Sequence, residues 1–280
     1  MLTDQRCTAQ LRDDGTPARL WVEWQKHKRG HPVCLIVFAW RPGHALPLIV
    51  AANRDEFYAR PSLPLAQWAD APQVYAGRDQ EAGGTWLGVN ADGRFAALTN
   101  IRDPHQPPAR KSRGELVARF LSGSLPIDDY LADVNGRSIE YAGFNLLVGT
   151  RDELWHYNAN DTEPTLLKAG VYGLSNAGLD TPWPKLVKAK AAFSAVLENP
   201  EPEALLGILS DPQTAPFAEL PDTGVGLATE SLLSSVFIAS PSYGTRASTA
   251  LIVNADGTRR MLERSFGPHG GRLGEVDLMF

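Results

Sequence analysis

The chain has 280 residues, 43% of them hydrophobic and 21% charged, which is ample material for a sizeable core. Its formal net charge of -5 argues against nucleic-acid binding, and no apolar stretch nears the ~20 residues that span a bilayer. The two cysteines, Cys7 and Cys34, make no disulfide framework, and residues 1–33 lack the apolar core and cleavage site of a secretory signal, so a cytoplasmic chain with reduced thiols is expected.

Residues 1–32 mix charges, Gly and Pro around a Trp21-Val22-Glu23-Trp24 patch without a periodic face, and read as a poorly ordered extension ahead of one domain over 33–280. Two apolar runs, 33–40 and 46–52, flank Arg41-Pro42-Gly43-His44 and predict a hairpin. The second run stops at four polar residues, Asn53-Arg54-Asp55-Glu56. A further hairpin is expected from 83–89 and 95–100 across Asn90-Ala91-Asp92-Gly93, where Asp-Gly signals a turn. Helical spacing over 112–121 puts Leu116, Val117, Phe120 and Leu121 on one face with Ser112 as a cap, and 128–134 predicts a second short helix.

Strands are expected over 144–149, 153–157 and 170–175. The clearest helix is 182–197, which opens on Pro and carries Leu186, Val187, Ala189, Phe193 and Val196 at helical spacing; 202–209 predicts a shorter one. Strands return at 234–239, 249–253 and 259–264. Regular βαβ alternation and internal repeats are both missing, so the expected class is α+β, with largely antiparallel sheet covered by helices.

Cys34 heads the first strand. A lone strand cysteine is ordinarily a small buried hydrophobe, with a nucleophile as the alternative. Arg54 and Asp55 would cost several kcal/mol if buried unpaired, so they form a salt-bridged strand end or point into a site. Asn100 and Asn176 each end a strand, the usual place for a turn asparagine. Arg246, in Ser242-Tyr243-Gly244-Thr245-Arg246, reads on its own as a surface arginine.

Six motifs in order, AANRDEFYARPS, GGTWLGVNADGRFAALTN, SRGELV, GFNLLVG, YGLSNAGLDTPWPK and YGTRASTALIV, resemble the NRDE family, the group related to the transport and Golgi organisation protein 2 of animals. The resemblance covers residues 33–280. It implies a remoter similarity to N-terminal-nucleophile hydrolases of the choloylglycine hydrolase and penicillin V acylase kind, whose fold is a four-layer αββα sandwich. On that pattern Cys34 resembles the nucleophile, and Arg54 and Asp55 resemble the arginine and aspartate beside it. Asn100 resembles the oxyanion-side asparagine, Asn176 the second site asparagine and Arg246 the distal arginine. The Arg54–Asp55 pair is not spaced as in the hydrolases, so the division of roles between them stays open.

Two functions are therefore expected in competition. One is hydrolysis of an amide or thioester of a small acyl compound through a Cys34 acyl-enzyme, with no cofactor. The other, from the family's association with haem and lipid handling, is a non-catalytic carrier of haem or an acyl lipid in the same pocket. Oligomeric state is not legible. A free α-amine on Cys34, titrating near ~8, would serve as the base that takes the thiol proton. Here the cysteine is thirty-fourth rather than second, and its nitrogen is a peptide amide. A propeptide removed after Val33, a translation start at Val33, or an abandoned activity would each account for this; the lack of core pattern over 1–32 favours the start at Val33.

Overall fold

β1 (Cys34–Trp40) is apolar and buried at every position, the mark of a strand covered on both faces. The computed structural model describes residues 33–106 and 109–280, so the extension expected over 1–32 lies outside the described residues. β1 pairs on one side with β2 (Leu48–Phe57) and on the other with β10 (Gly170–Leu174). β11 (Tyr243–Val253), β12 (Arg259–Phe266) and β13 (Arg272–Met279) extend this sheet to the order β10-β1-β2-β11-β12-β13.

The second sheet has the order β3-β4-β5-β6-β7-β8-β9. Its members are β3 (Ser62–Gln67), β4 (Val74–Asp79), β5 (Leu87–Asn90), β6 (Phe95–Asn100), β7 (Phe144–Gly149), β8 (Leu154–Asn158) and β9 (Thr165–Leu166). Every pairing in both sheets is antiparallel.

Strand alternation assigns each face. Ile36, Phe38, Val50 and Ala52 from the first sheet meet Leu87, Val89, Phe95, Ala97 and Leu147 from the second in an inner core. On the outside of the second sheet, Ala96, Leu98, Leu146 and Val148 are covered by α1 (Gly114–Ser122) and α2 (Ile127–Gly136) through Leu116, Phe120, Tyr130 and Leu131. On the outside of the first, Leu35, Val37, Ile49 and Ala51 are covered by α3 (Pro184–Ala195) and α4 (Pro202–Ile208) through Leu186, Phe193, Leu205 and Leu206. The layers run helix, sheet, sheet, helix. The expected α+β class and αββα sandwich are those of the structure.

Several elements differ from the reading of the sequence, each for a tertiary reason. β2 continues through Asn53-Arg54-Asp55-Glu56 because β11 pairs alongside it as far as Phe57. Residues 234–239 form only a single bridge, Ala239 to Gly244, and no strand: the Val236 carbonyl accepts from Asn53 Nδ2 at 2.8 Å, and the Ile238 amide donates to Thr245 Oγ1 at 3.0 Å. Loop and side-chain partners thus satisfy a segment whose composition reads as strand. A helix, α5 (Leu227–Leu233), precedes it.

Candidate functional site

The site is built at the end of the first sheet where β1 begins. Cys34 lies directly across the ladder from Arg54, and strand phase puts both on the face toward the second sheet. Asp55 falls on the opposite face, in phase with Ile49 and Ala51 and toward α3. Its amide donates to the Val33 carbonyl at 2.9 Å, and the Val33 amide donates to the Tyr243 hydroxyl at 2.8 Å. Asp55 is fully buried, and its Oδ1 accepts from Thr245 Oγ1 at 2.7 Å. Arg54 Nη2 stands 3.6 Å from Glu56 Oε2.

Burial, then the Asp55 carboxylate, pushes the Cys34 thiol up to about 12, against the opposing pull of Arg54 and the Asp55 amide. Burial also raises the Asp55 carboxyl above its ordinary value, opposed first by the Lys185 ammonium. With its nitrogen in a peptide bond, Cys34 therefore stays a protonated thiol at neutral pH.

Both asparagines stand beside this end. Asn176 Nδ2 donates to the Asn100 carbonyl at 2.8 Å and its Oδ1 accepts from Ser175 Oγ at 3.1 Å, which pins the end of β6 to the end of β10. The Cys34 carbonyl is a second acceptor 3.0 Å from Ser175 Oγ, whose single O–H the two acceptors share. Arg246 sits at the bulge between Thr245 and Ala247, and its Nη1 donates to the carbonyls of Phe57, Tyr58 and Arg60 at 2.9, 3.1 and 2.8 Å. The structure thus brings Cys34, Arg54, Asp55, Asn176 and the Asn100 backbone to one end of the sheets, with Asp55 on the opposite strand face from Cys34 and Arg54 and with Asn100 in phase with Ala96 and Leu98 of the outer face, whereas Arg246 is spent on the backbone leaving β2.

Sequence reading missed three charged residues here. Arg102 is buried, donates through Nη1 to Glu230 Oε2 at 2.5 Å, and lies 4.5 Å from the centroid of the Trp183 ring. Lys185 is 2% exposed and stands in the first turn of α3. Burial lowers its ammonium from the usual lysine range, with Asp55 opposing. Arg113 is lowered by burial to about 10, opposed by Cys34 and Glu56, which places it near both. A signal for Lys185 existed: a cation in a helix's first turn opposes the macrodipole, so something else must hold it there.

Beneath the site a polar network crosses the second sheet. Thr99 Oγ1 donates to the Ser175 carbonyl at 2.5 Å, and Asn145 Nδ2 donates to Thr99 Oγ1 at 3.2 Å. His156 Nε2 lies 3.1 Å from Asn145 Oδ1, and burial lowers the imidazole to about 4.

Among the described residues no three His, Cys, Asp or Glu side chains gather to hold a metal ion, and no helix is long and apolar enough to cross a membrane. A cavity of about 220 Å³ opens at the far end of the sheets, lined by Trp40, Leu48, Phe95, Val253, Arg151 and Arg259. β1 alone separates it from Cys34 by roughly 20 Å at ~3.3 Å per residue.

The chain is 37% identical over 260 residues to the Transport and Golgi organization protein 2 homolog of Bos taurus, covering 83% of this chain and 93% of that one. Its identity to the human homolog is 37% over 256 residues, with the same coverage. Identity to the Drosophila melanogaster protein is 27% over 275 residues, covering 85% and 95%. Among solved structures, the Caenorhabditis elegans N-acylethanolamine-hydrolyzing acid amidase ortholog aligns with a TM-score of 0.44 and 12% identity, over 78% of this chain and 92% of that one. The match to the family described as Transport and Golgi organisation 2 runs over residues 33–268, which takes in the strand that begins at Cys34, the Asn53–Glu56 quartet, Asn100 at the end of β6 and Asn176 two residues past β10, and the chain belongs to that family.

Proposed function

We propose that the chain is an N-terminal cysteine hydrolase of amides or thioesters of small acyl compounds, active when Cys34 carries a free α-amine. The observation that carries the reading is the pairing of Cys34 with Arg54 across the ladder, with the buried Asp55 bonded through its amide to the residue before the cysteine. In a chain begun at Cys34, the α-amine takes the thiol proton as Sγ attacks the acyl carbon. Collapse of the tetrahedral adduct breaks the bond to the leaving amine or thiol, which receives that proton and leaves a thioester on Cys34. Water then adds to the thioester, releasing the acid and restoring the thiol.

In this reading Asp55 holds the ammonium, Arg54 favours the thiolate, Asn100 serves the oxyanion with Asn176 holding its strand end, and Arg246 braces the backbone that follows Asp55. An oxyanion donor is worth about 3 kcal/mol in rate.

The test is incubation of the chain begun at Cys34, and of the 280-residue chain, with 4-nitrophenyl esters and N-acyl amides, followed by intact mass. An acyl adduct on Cys34 with turnover, abolished by Cys34→Ala, is expected for the chain begun at Cys34. Retention of haem or acyl lipid unaffected by Cys34→Ala, without adduct, would instead make the protein a carrier.

A further inference from the structure

Four buried polar atoms at the Cys34 end have no hydrogen-bond partner among the described residues: Asp55 Oδ2, Lys185 Nζ, and Arg102 Nε and Nη2. Buried polar groups are ordinarily hydrogen-bonded, so the concentration of unmet ones on three side chains points to a polar partner that joins them, a ligand or water. The Arg102 pair has a shape. Nη1 is committed to Glu230 and the guanidinium face lies over Trp183, which leaves the Nε–Nη2 edge. Those two N–H bonds run parallel and match two oxygens of one carboxylate or phosphate. Lys185 adds three more donors in electrostatic reach of Arg102, Asp55 and Cys34.

Both carboxylates already have other partners. Glu230 Oε1 accepts from the Thr223 amide and hydroxyl at 2.8 and 2.6 Å, and Asp55 Oδ1 accepts from Thr245. Charges also count. Arg102 faces Glu230, Lys185 faces Asp55 and Arg54 faces Glu56, so Arg113 and the α-ammonium of a chain begun at Cys34 are left as local positive charge that an anionic group offsets.

We propose that Arg102 and Lys185 form an anion-binding subsite beside Cys34 that receives a carboxylate or phosphate carried by the acyl substrate. This rests on the hydrolase reading for the word substrate, but not for the binding itself. Two measurements separate them.

In the chain begun at Cys34, with the 280-residue chain alongside, mono-(4-nitrophenyl) glutarate is compared with 4-nitrophenyl valerate, a neutral ester of the same length. The expected kcat/KM ratio favours the anionic ester at least tenfold, falls at least fivefold in Arg102→Lys and in Lys185→Met, and is largely kept in Lys185→Arg. A ratio near one, or one that neither variant moves, overturns the subsite.

If neither these esters nor the N-acyl amides react, the hydrolase reading fails, and calorimetry on the Cys34→Ala form of the same chain decides the subsite. Glutarate and phosphate are titrated against glutaramide. Binding of either anion but not glutaramide, lost in Lys185→Met, supports the subsite, with the preferred anion naming its chemistry. No binding, or equal binding of glutaramide, means that water fills the space and overturns the proposal.

Discussion

Asp55 and Lys185 are both buried, and among the described residues neither Asp55 Oδ2 nor Lys185 Nζ has a hydrogen-bond partner, so each lowers the cost of the other through charge. Removing one leaves the other as an uncompensated buried charge, which is more damaging than removing both. A double-mutant cycle of Asp55→Asn and Lys185→Met, read by urea unfolding at pH 7, is expected to give a coupling of about 1–3 kcal/mol, the double variant being less destabilised than the singles sum to. Additive effects would separate the two residues. Asp55→Asn is also expected to slow acylation of Cys34 at least 100-fold in the chain begun there, since the amide carries no charge to hold the ammonium.

At the scale of elements, two of the motifs legible in the sequence meet backbone to backbone. A Cβ on Gly84 would lie 2.4 Å from the Gly114 carbonyl carbon, and the Thr85 amide donates to the Gly114 carbonyl at 3.1 Å. No flexible side-chain end is there to yield. Gly84→Ala is expected to cost about 2 kcal/mol or more, measured by denaturant unfolding; a change under ~0.5 kcal/mol would mean that the start of α1 moves freely away.

Arg246 makes a related case. Its bonds to three carbonyls predict that Arg246→Gln loses about 2 kcal/mol of stability. If stability were intact and only acylation fell, Arg246 would act on substrate rather than on the β2 exit.

The same elements explain what sequence could and could not disclose. β1, β6 and β7 are buried on both faces and read as continuous apolar runs. β13 is mostly exposed, with Arg272, Glu275 and Asp277 along it, and nothing in its composition separates an edge strand from a loop. The quartet at 53–56 looked like a strand end because its burial depends on β11, which is about 190 residues away in the chain. Cys34 and the quartet were visible as chemistry. Arg102 and Lys185 were not, because their partners, Glu230 and Asp55, become neighbours only on folding.

Residues 33–280 fold around two antiparallel sheets whose inner faces are apolar through the middle and polar at the Cys34 end, so burial there controls titration as well as packing. His156 reports this globally. Its folded value of about 4 lies below the ordinary 6.5, so in that window the unfolded chain binds a proton that the folded chain refuses. Stability therefore falls as pH drops from about 6.5 toward 4, by roughly 1–3 kcal/mol from this group. His156→Gln is expected to flatten that part of the stability–pH curve; an unchanged slope would assign the acid sensitivity elsewhere.

The proposed chemistry requires that an α-amine on Cys34 turn a dormant thiol into a nucleophile. The most direct measurement is the rate of iodoacetamide alkylation of Cys34 at pH 7.5, followed by mass, in the 280-residue chain and in the chain begun at Cys34. The expected result is a rate at least about 100-fold higher in the shorter chain, and a thiol in the longer chain that resists until the fold is lost. Equal rates, or a shorter chain that is folded and equally inert, would contradict it.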